Sequence, residues 1–311
     1  MENYQFVAQL RESDMVREKD LGNNISSFNF TRKCFQNAAW DNLTTKARGL
    51  FVDTESNKIV ARSFDKFFAV GERPETQMSA LKESLVFPIK GYLKENGFLG
   101  IVSCDNNGEL FVSSKSQNYG EFADIFKNVL EKYNTDIMRE ICDNFDVSLV
   151  FEVIDPINDP HIVEYNDTHL VLLEAICNDY EYTHKRDEWT KIIADLCGVP
   201  YKQHRYTFDN WSEFEENYPL LLEQTGVEGY VFEDKNGFMF KLKTNWYKQW
   251  KSIRSAINRV ANGKAIECRY ECSKELVRFI EWFVPFYMDT YEGEIPSVIT
   301  VRNEWERYCA I

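Results

Sequence analysis

The sequence is poor in several features that mark common classes of protein. Its 311 residues include only 14 glycines and 8 prolines, and they contain no low-complexity tract or internal repeat. We therefore expect a compact globular protein without a disordered tail. The apolar run at residues 279–288 is too short and too interrupted to span a bilayer. The first fifteen residues lack the basic and apolar regions of a secretory signal peptide.

Close pairs of cysteines are also scarce. Of the eight cysteines, only Cys268 and Cys272 lie near each other, and the four histidines are not at ligand spacing to them. Structural zinc sites usually need two such pairs, or one pair and two histidines. The pattern argues against structural zinc. With no signal peptide in view, free thiols lead us to expect an intracellular, cytoplasmic protein with no membrane association.

Basic residues are outnumbered by acidic ones. The chain has 36 Lys and Arg against 50 Asp and Glu, which gives a net charge of −14. That balance argues against non-specific binding of nucleic acid, which depends on cations that neutralise phosphates. Net charge does not exclude local patches. A nucleic-acid site on this chain would have to be a focused basic groove on an acidic body.

Hydrophobic patterning predicts an α+β fold. Three hairpins are predicted at residues 50–64, 98–114 and 229–243, and two further strands at 147–154 and 169–175. Helices are predicted at 120–143, at 186–197, from 211 onward, and from about 246 to the end. We therefore expect antiparallel sheets with flanking helices over residues 1–247, and a small helical C-terminal domain over residues 248–311.

The pattern K-x-x-G raises the question of a nucleophilic lysine. It occurs three times, from Lys19, Lys46 and Lys94, and roughly one chance match is expected in a chain of this length. By this pattern alone, Lys94 is more often a lysine in a surface turn. However, only Lys94 lies between two strand-like stretches, at a turn closed by Gly97. A lysine attacks phosphorus at neutral pH only when burial or nearby cations lower its pKa.

Further charged residues follow Lys94 on predicted strands. Lys115 ends the second hairpin, and Lys241 and Lys243 end the third, where strand alternation points both to one face. If the third hairpin packs beside the second, these cations could bind phosphates and lower the pKa of Lys94. Glu152 and Glu228 lie in apolar strand sequence, where a carboxylate needs a partner. Each residue alone is more often a solvated or edge-strand charge, but the ordered set favours phosphate chemistry.

These residues, in this order, resemble the covalent nucleotidyltransferase superfamily. Within it, the chain is most similar to the RNA ligase 1 type of bacteriophages and to the ligase domain of fungal tRNA ligases. The resembling segments are ARGLFVD (47–53), IVARSFDKFFAVGE (59–72), KENG (94–97), SSKS (113–116), FEVIDPINDPHIV (151–163), EGYV (228–231) and FKLKTNWY (240–247). The phage enzymes usually carry Asp at the position of Asn96, whereas the fungal enzymes carry Asn. Residues 248–311 match no segment of the family, which leaves the choice of substrate open.

The resemblance implies an ATP-dependent RNA ligase and a role for each site residue. Lys94 would attack the α-phosphorus of ATP and carry AMP, and Lys241 and Lys243 would hold the α-phosphate. The other implied roles are phosphate or RNA-end binding by Arg48, Lys66 and Lys115, pocket support by Phe68, ribose contact by Glu152, placement of a metal or a lysine by Glu228, and adenine stacking by Phe28 or Phe30, for which a core role is equally open. Magnesium, or manganese, would shield the triphosphate.

The resemblance implies an RNA substrate with 5′-phosphate and 3′-hydroxyl ends, with tRNA as a candidate. Separate enzymes that heal the ends are candidate partners. Two alternatives stay open. One is a capping-type or DNA-ligating nucleotidyltransferase, and the other is a non-catalytic RNA-binding or toxin-neutralising module that kept the fold.

Overall fold

A computed structural model of the chain describes residues 3–183, 187–267 and 272–310. Its strands are β1 (Val16–Asp20), β2 (Ile25–Phe30), β3 (Leu50–Asp53), β4 (Lys58–Arg62), β5 (Phe68–Ala69), β6 (Ile89–Leu93), β7 (Phe98–Cys104), β8 (Leu110–Ser114), β9 (Val147–Ile154), β10 (His169–Cys177), β11 (His204–Phe208), β12 (Gly229–Glu233) and β13 (Met239–Lys243). Its helices are α1 (Asn3–Glu12), α2 (Arg32–Gln36), α3 (Asn42–Lys46), α4 (Met78–Ser84), α5 (Glu121–Leu130), α6 (Thr135–Phe145), α7 (Asp187–Cys197), α8 (Trp211–Leu222), α9 (Asn245–Ala261), α10 (Lys274–Thr290) and α11 (Val298–Cys309).

The strands form three sheets, which confirms the predicted α+β class. The sheet orders are β1-β2-β3-β4, β10-β9-β7-β8 and β11-β6-β12-β13-β5. The pairs within these sheets are antiparallel except for β13 and β5, which run parallel. The chain divides into two compact units. Unit 1 comprises residues 1–67, 97–159 and 167–203, and unit 2 comprises residues 68–96, 160–166 and 204–311.

Unit 1 contains the two four-stranded sheets. Strand β9 lies between β10 and β7, and seven of its eight residues are buried, as its continuous apolar sequence predicts. The sheets pack against each other through Phe51 of β3 and Phe111 of β8, whose rings lie 5.2 Å apart. A second, larger apolar cluster forms where α5, α6 and α7 cover the sheet that contains β9. Unit 1 is therefore a layered α+β core.

The single helix predicted at residues 120–143 is wrong, because the structure has two helices there. Helix α5 ends at Leu130, and α6 begins at Thr135. The side chain of Asn134 accepts a hydrogen bond from the backbone N–H of Ile137 at 3.2 Å and so caps the start of α6. Both helices present an apolar face to the same cluster, so the helical periodicity runs across the break.

Unit 2 contains the five-stranded sheet and the C-terminal helices. Phenylalanines from β11, α8, β12 and β13 form the centre of its sheet cluster: Phe208, Phe214, Phe232 and Phe240. Strand β6 pairs with β12, and β12 pairs with β13. The third predicted hairpin therefore pairs with the strand that leads into Lys94, in a sheet that does not include the second hairpin.

Helices α9, α10 and α11 pack around their own apolar cluster. Ile253, Ile280 and Val301 are fully buried in it, one from each helix. Arg302 is buried beside them and donates to the carbonyl of Ile162 at 2.7 Å. The predicted boundary after residue 247 falls inside α9, and a separate domain over residues 248–311 stays a prediction.

Two predictions made from composition concern membrane-spanning helices and the cysteines. Across the described residues, each helix is too short or too polar to cross a membrane. Cys268, one half of the single close cysteine pair, lies outside the described residues. The six described cysteines other than Cys272 carry free thiols.

Candidate active site

The predicted site residues fall into two groups, one in each unit. Unit 2 holds Phe68, Lys94, Glu228, Lys241 and Lys243, and unit 1 holds Phe28, Arg48, Lys66, Lys115 and Glu152. Each group is described by itself.

The sheet of unit 2 fixes the backbone of Lys94. Strand β6 ends one residue earlier, with Leu93 opposite Tyr230 of β12. The ladder continues for one further bond, because the backbone N–H of Lys94 donates to the carbonyl of Gly229 at 2.9 Å. Lys94 therefore directly follows the end of an inner strand of the sheet. This backbone support is what an aligned nucleophile requires.

The side chain of Lys94 points at a buried carboxylate. Its Nζ lies 3.1 Å from Oε1 of Glu228, which is only 3% exposed. Lys243 reaches the same oxygen at 2.8 Å, because Lys243 pairs with Gly229 across the β12–β13 ladder. Burial by itself raises the pKa of Glu228, but the two ammonium groups outweigh it and lower that pKa to about 2. Two cations thus share one anion, and the group carries an excess of positive charge.

Strand β13 positions the second lysine of the pair as predicted. Lys241 lies two residues before Lys243 and therefore on the same face of the strand. At this point β5 pairs with β13, and the carbonyl of Lys241 accepts from the N–H of Val70 at 2.9 Å. Phe68 of β5 is buried and pairs with Phe240 in the ladder, so it lies beside the strand that carries the lysines.

Asn96 ties this group together. Its amide donates to Oε2 of Glu228 at 2.8 Å and to the hydroxyl of Tyr247 at 3.3 Å. Its side-chain oxygen accepts from the backbone N–H of Val163 at 3.1 Å, and its own N–H donates to the hydroxyl of Tyr165 at 2.8 Å. The third residue of the K-x-x-G pattern is therefore a buried bridge, and sequence reasoning assigned no role to either tyrosine.

Glu228 does not fit the role of a metal ligand in this arrangement. One of its oxygens receives two ammonium groups and the other receives the amide of Asn96. Magnesium prefers carboxylate oxygens that are open to it and keeps several waters. The alternative role from the sequence, positioning a lysine, agrees with the contacts of Glu228.

In unit 1, Glu152 holds the backbone of Gly97, the glycine of KENG. The backbone N–H of Gly97 donates to Oε1 of Glu152 at 2.8 Å. A Cβ on Gly97 would lie 2.1 Å from the carbonyl oxygen of Val153, so no larger residue fits without moving the backbone. The carboxylate within the apolar strand β9 therefore has a structural partner. Its predicted contact with ribose stays a prediction.

Several cations of unit 1 lie near Lys115. Arg48 donates to the hydroxyl of Ser63 at 3.0 Å. Burial, together with the nearby charges of Arg48, Arg17 and Lys66, lowers the pKa of Lys115 to about 8. The predicted binding of phosphate by Arg48, Lys66 and Lys115 stays a prediction.

The two phenylalanines of β2 differ in burial. Phe28 is fully buried in a core cluster with Phe6 and Leu50, so its place is in the core rather than in an open pocket. Phe30 is partly exposed, and Nζ of Lys115 lies 4.6 Å from its ring centre. Trp40 packs edge-on to Phe30 at 4.9 Å, and sequence reasoning missed it because it lies outside every resembling segment.

Comparison with known proteins identifies the family of this chain. A family model described as RNA ligase matches residues 46–247, more than half of the chain. The matched range includes nine of the ten predicted site residues and leaves out Phe28.

Two curated proteins and one solved structure illustrate the likeness. The chain is similar to tRNA ligase 1 of Schizosaccharomyces pombe, with 29% identity over 276 residues, which cover 74% of this chain and 34% of that protein. It is 41% identical over 73 residues to a tRNA ligase of Candida albicans, covering 24% of this chain and 9% of that one. An archaeal ATP-dependent RNA ligase has a similar fold, with a TM-score of 0.59, 14% identity, and coverage of 83% of this chain and 65% of that chain.

The chain thus spans about a third of the length of the tRNA ligase that it matches over most of its own length. The matched range includes Lys94, Glu228 and the lysines of β13. The resemblance inferred from the sequence is confirmed, and this chain belongs to the RNA ligase family.

Proposed function

We propose that this protein is an ATP-dependent RNA ligase that joins 5′-phosphate and 3′-hydroxyl RNA ends through a lysyl-AMP intermediate. The observation that carries the proposal is the group in unit 2, where Lys94 leaves a fixed strand end and meets Glu228, which Lys243 also contacts. A solvated surface lysine would not be held by a buried carboxylate and a sheet hydrogen bond.

In the first step, the deprotonated amine of Lys94 attacks the α-phosphorus of ATP. An N–P bond forms, the bond to the β-phosphate oxygen breaks, and pyrophosphate leaves. Lys243 and Lys241 share one face of β13, from which they would bind the α-phosphate and stabilise the charge that develops on its oxygens. Glu228 orients the two lysines that contact it and offsets part of their mutual repulsion.

In the next two steps, AMP moves from Lys94 to the 5′-phosphate of an RNA strand, and a 3′-hydroxyl then attacks that activated phosphate and releases AMP. Arg48, Lys66 and Lys115 of unit 1 are the groups proposed to bind nucleotide phosphates or the RNA end. The low pKa of Lys115 supports this role, because a bound phosphate would relieve the repulsion among the cations.

A divalent ion, magnesium or manganese, is proposed as cofactor. When bound, it would neutralise charge on the triphosphate and on the leaving pyrophosphate. Because both oxygens of Glu228 are engaged, we assign no protein ligand to it.

The similarity to tRNA ligases supports a substrate in tRNA repair or splicing. We propose that the RNA ends arrive with their 5′-phosphate and 3′-hydroxyl already prepared by separate end-healing enzymes. Residues 248–311, which lie outside the family match, are proposed to contribute to the choice of RNA.

The proposal is tested with α-labelled ATP and magnesium, followed by a chase onto 5′-phosphorylated RNA or DNA. We expect covalent labelling of the protein, transfer of AMP to RNA, and sealing of RNA in preference to DNA. Labelling by GTP in preference to ATP would indicate a capping-type enzyme, and preferential sealing of DNA would indicate a DNA ligase. RNA binding without any labelling would indicate a non-catalytic module.

A further inference from the structure

Three aromatic side chains of unit 1 form a cluster that the proposed chemistry does not use. Phe30 ends β2, Phe35 lies in α2, and Trp40 lies in the loop before α3. The ring of Trp40 packs edge-on to Phe30 at 4.9 Å and to Phe35 at 6.3 Å, with interplanar angles of 82° in both pairs. Phe35 is 56% exposed, and the other two are partly exposed. We refer to Phe30, Phe35 and Trp40 as the aromatic platform.

Local capping builds the segment that carries the platform, so the exposed rings are not needed to hold its shape. The hydroxyl of Thr31 accepts from the N–H of Cys34 at 3.1 Å and starts α2. Cys34 is fully buried and anchors the helix. Asp41 caps α3 through bonds from the N–H groups of Leu43 and Thr44, at 2.9 and 2.7 Å. An aromatic ring as exposed as Phe35 adds little to such a fold.

Two lysines lie over the faces of the platform. Nζ of Lys66 is 5.2 Å from the ring centre of Trp40, and Nζ of Lys115 is 4.6 Å from that of Phe30. Both distances fall within the range of cation–π contacts. Arg48 and Arg17 add charge near Lys115. The platform therefore combines exposed aromatic surface with a concentration of positive charge, on a chain whose net charge is −14.

We propose that the aromatic platform stacks a nucleobase of the RNA strand while Lys66 and Lys115 bind a phosphate of the same strand. This proposal rests on the proposed function and names a part of its substrate site. Single-stranded nucleic acid is bound by this combination of stacking aromatic rings and backbone-binding cations. A nucleotide carries both groups that this surface would bind. Its base offers a flat face to the aromatic rings, and its phosphate offers an anion to the lysines.

The other occupants fit the charges and the surface less well. An apolar protein segment would cover the rings but would offer no anion to the positive charge near Lys115. The adenine of ATP offers the same chemistry as an RNA base, and the experiment separates these two cases.

The test measures binding of a short 5′-phosphorylated single-stranded RNA by fluorescence anisotropy, without ATP. Stacking on a protein aromatic contributes about 1–3 kcal/mol per base, so Trp40→Ala should raise Kd about 5- to 150-fold, and Phe35→Ala should also weaken binding. Trp40→Phe keeps an aromatic face and should restore most of the affinity. The matched control is Phe145→Ala, which removes an exposed aromatic of unit 1 that packs edge-on to Trp189. It should leave Kd unchanged.

A second arm identifies the base. RNAs in which one base at a time is replaced by an abasic residue should bind the wild type more weakly at one position near the 5′ end. Trp40→Ala should be insensitive to the same replacement, because the stacking partner is already gone.

Equal RNA affinity in wild type, Trp40→Ala and Phe35→Ala would overturn the proposal. It would also be overturned if Trp40→Ala instead raised the ATP concentration needed for half-maximal labelling, which would assign the platform to adenine. Failure of the wild type to be labelled by ATP would contradict the proposed function, whereas the RNA-binding result would still decide the platform. Thermal melting of each variant shows that it is folded.

Discussion

The ammonium group of Lys94 lies 3.1 Å from the carboxylate of Glu228, a residue that the fold buries almost completely. The proposed nucleophile is therefore held in an ion pair. Lys243 contacts the same oxygen of Glu228. A phosphate bound by these lysines would compete with Glu228 and weaken its hold on Lys94.

Replacing Glu228 with Gln should destabilise the protein in a pH-dependent way. The pKa of Glu228 in the folded state is about 2, below its ordinary value of 4.5. A lowered carboxyl pKa adds stability that is fully present above about pH 5 and is lost as the pH falls toward 2. We expect Glu228→Gln to lower the free energy of unfolding at pH 7 by about 2–4 kcal/mol, since it removes a buried carboxylate that two partly buried cations share. Urea unfolding at pH 7 and pH 3 measures the effect.

Glu18→Gln is the control for this substitution. Glu18 pairs with Arg11 at 2.9 Å, but that pair is partly exposed. Exposed ion pairs contribute about 0–1 kcal/mol, so the control should change little. An equal loss for both variants, or a loss for Glu228→Gln that is the same at pH 3 and pH 7, would contradict the assignment of Glu228 as an ionised centre.

Replacing Asn96 with Ala should destabilise the protein and weaken labelling by ATP. The side chain is 5% exposed and makes bonds to Glu228, Tyr247 and the N–H of Val163. Removing it leaves the N–H of Val163 without its acceptor, and we expect a loss of about 2–4 kcal/mol in the free energy of unfolding. Asn262→Ala removes an exposed amide that donates to the carbonyl of Asn258 at 2.7 Å, and it should cost less than about 0.5 kcal/mol. Similar losses in both variants would show that Asn96 is not a structural bridge.

Replacing Lys115 with Met should stabilise the protein and weaken phosphate binding. Its pKa is lowered to about 8 from 10.5, so its charged form disfavours the folded state below pH 8. That penalty disappears as the pH rises from about 8 to about 10.5, and wild-type stability should gain over this window. Because Lys115 is exposed by surface area, solvent screens much of this penalty. We expect Lys115→Met to raise the free energy of unfolding at pH 7 by at most about 1 kcal/mol and to abolish the gain.

Lys58→Met, at an exposed position of β4, should show neither effect on stability. Isothermal titration with inorganic pyrophosphate at pH 8.5 supplies the binding readout. In the wild type, binding should be accompanied by proton uptake, because a bound anion raises the pKa of Lys115. A destabilised Lys115→Met variant, or proton uptake that is unchanged in it, would contradict this account.

The regular elements of the middle of the chain could be predicted because their signals are local. Strand β9 has the predicted bounds, 147–154, and each of the three hairpins forms around the predicted turn. Strand β1 was missed because its sequence, VREKD, is charged and only its first residue is buried. The segment forms a strand because its backbone pairs with β2, and its own sequence does not indicate this pairing.

The proposed site residues could be selected from the sequence, but their contacts could not. Lys94, Glu228 and Lys243 belong to segments that resemble the family, yet their meeting depends on the order β6-β12-β13 within one sheet. The sequence analysis considered only the case in which the third hairpin packs beside the second. Tyr165 bonds to the backbone of Asn96 from 69 positions away, and no short-range pattern indicates such a partner. Trp40 was missed for a related reason, since its importance comes from lysines placed over it and its neighbour.

The central claim is that Lys94 carries AMP, and mapping the adduct tests it most directly. The protein is incubated with ATP and magnesium, and the modified residue is located by intact-mass and peptide mass spectrometry. We predict one AMP per chain on the peptide containing Lys94, its loss in Lys94→Ala, and its retention in Lys19→Ala, which removes the lysine of another K-x-x-G sequence. Lys94→Arg keeps a cation for Glu228 but cannot attack phosphorus, so it should be folded and unmodified. An adduct that persists in Lys94→Ala, maps to another residue, or does not form in the wild type would contradict the account.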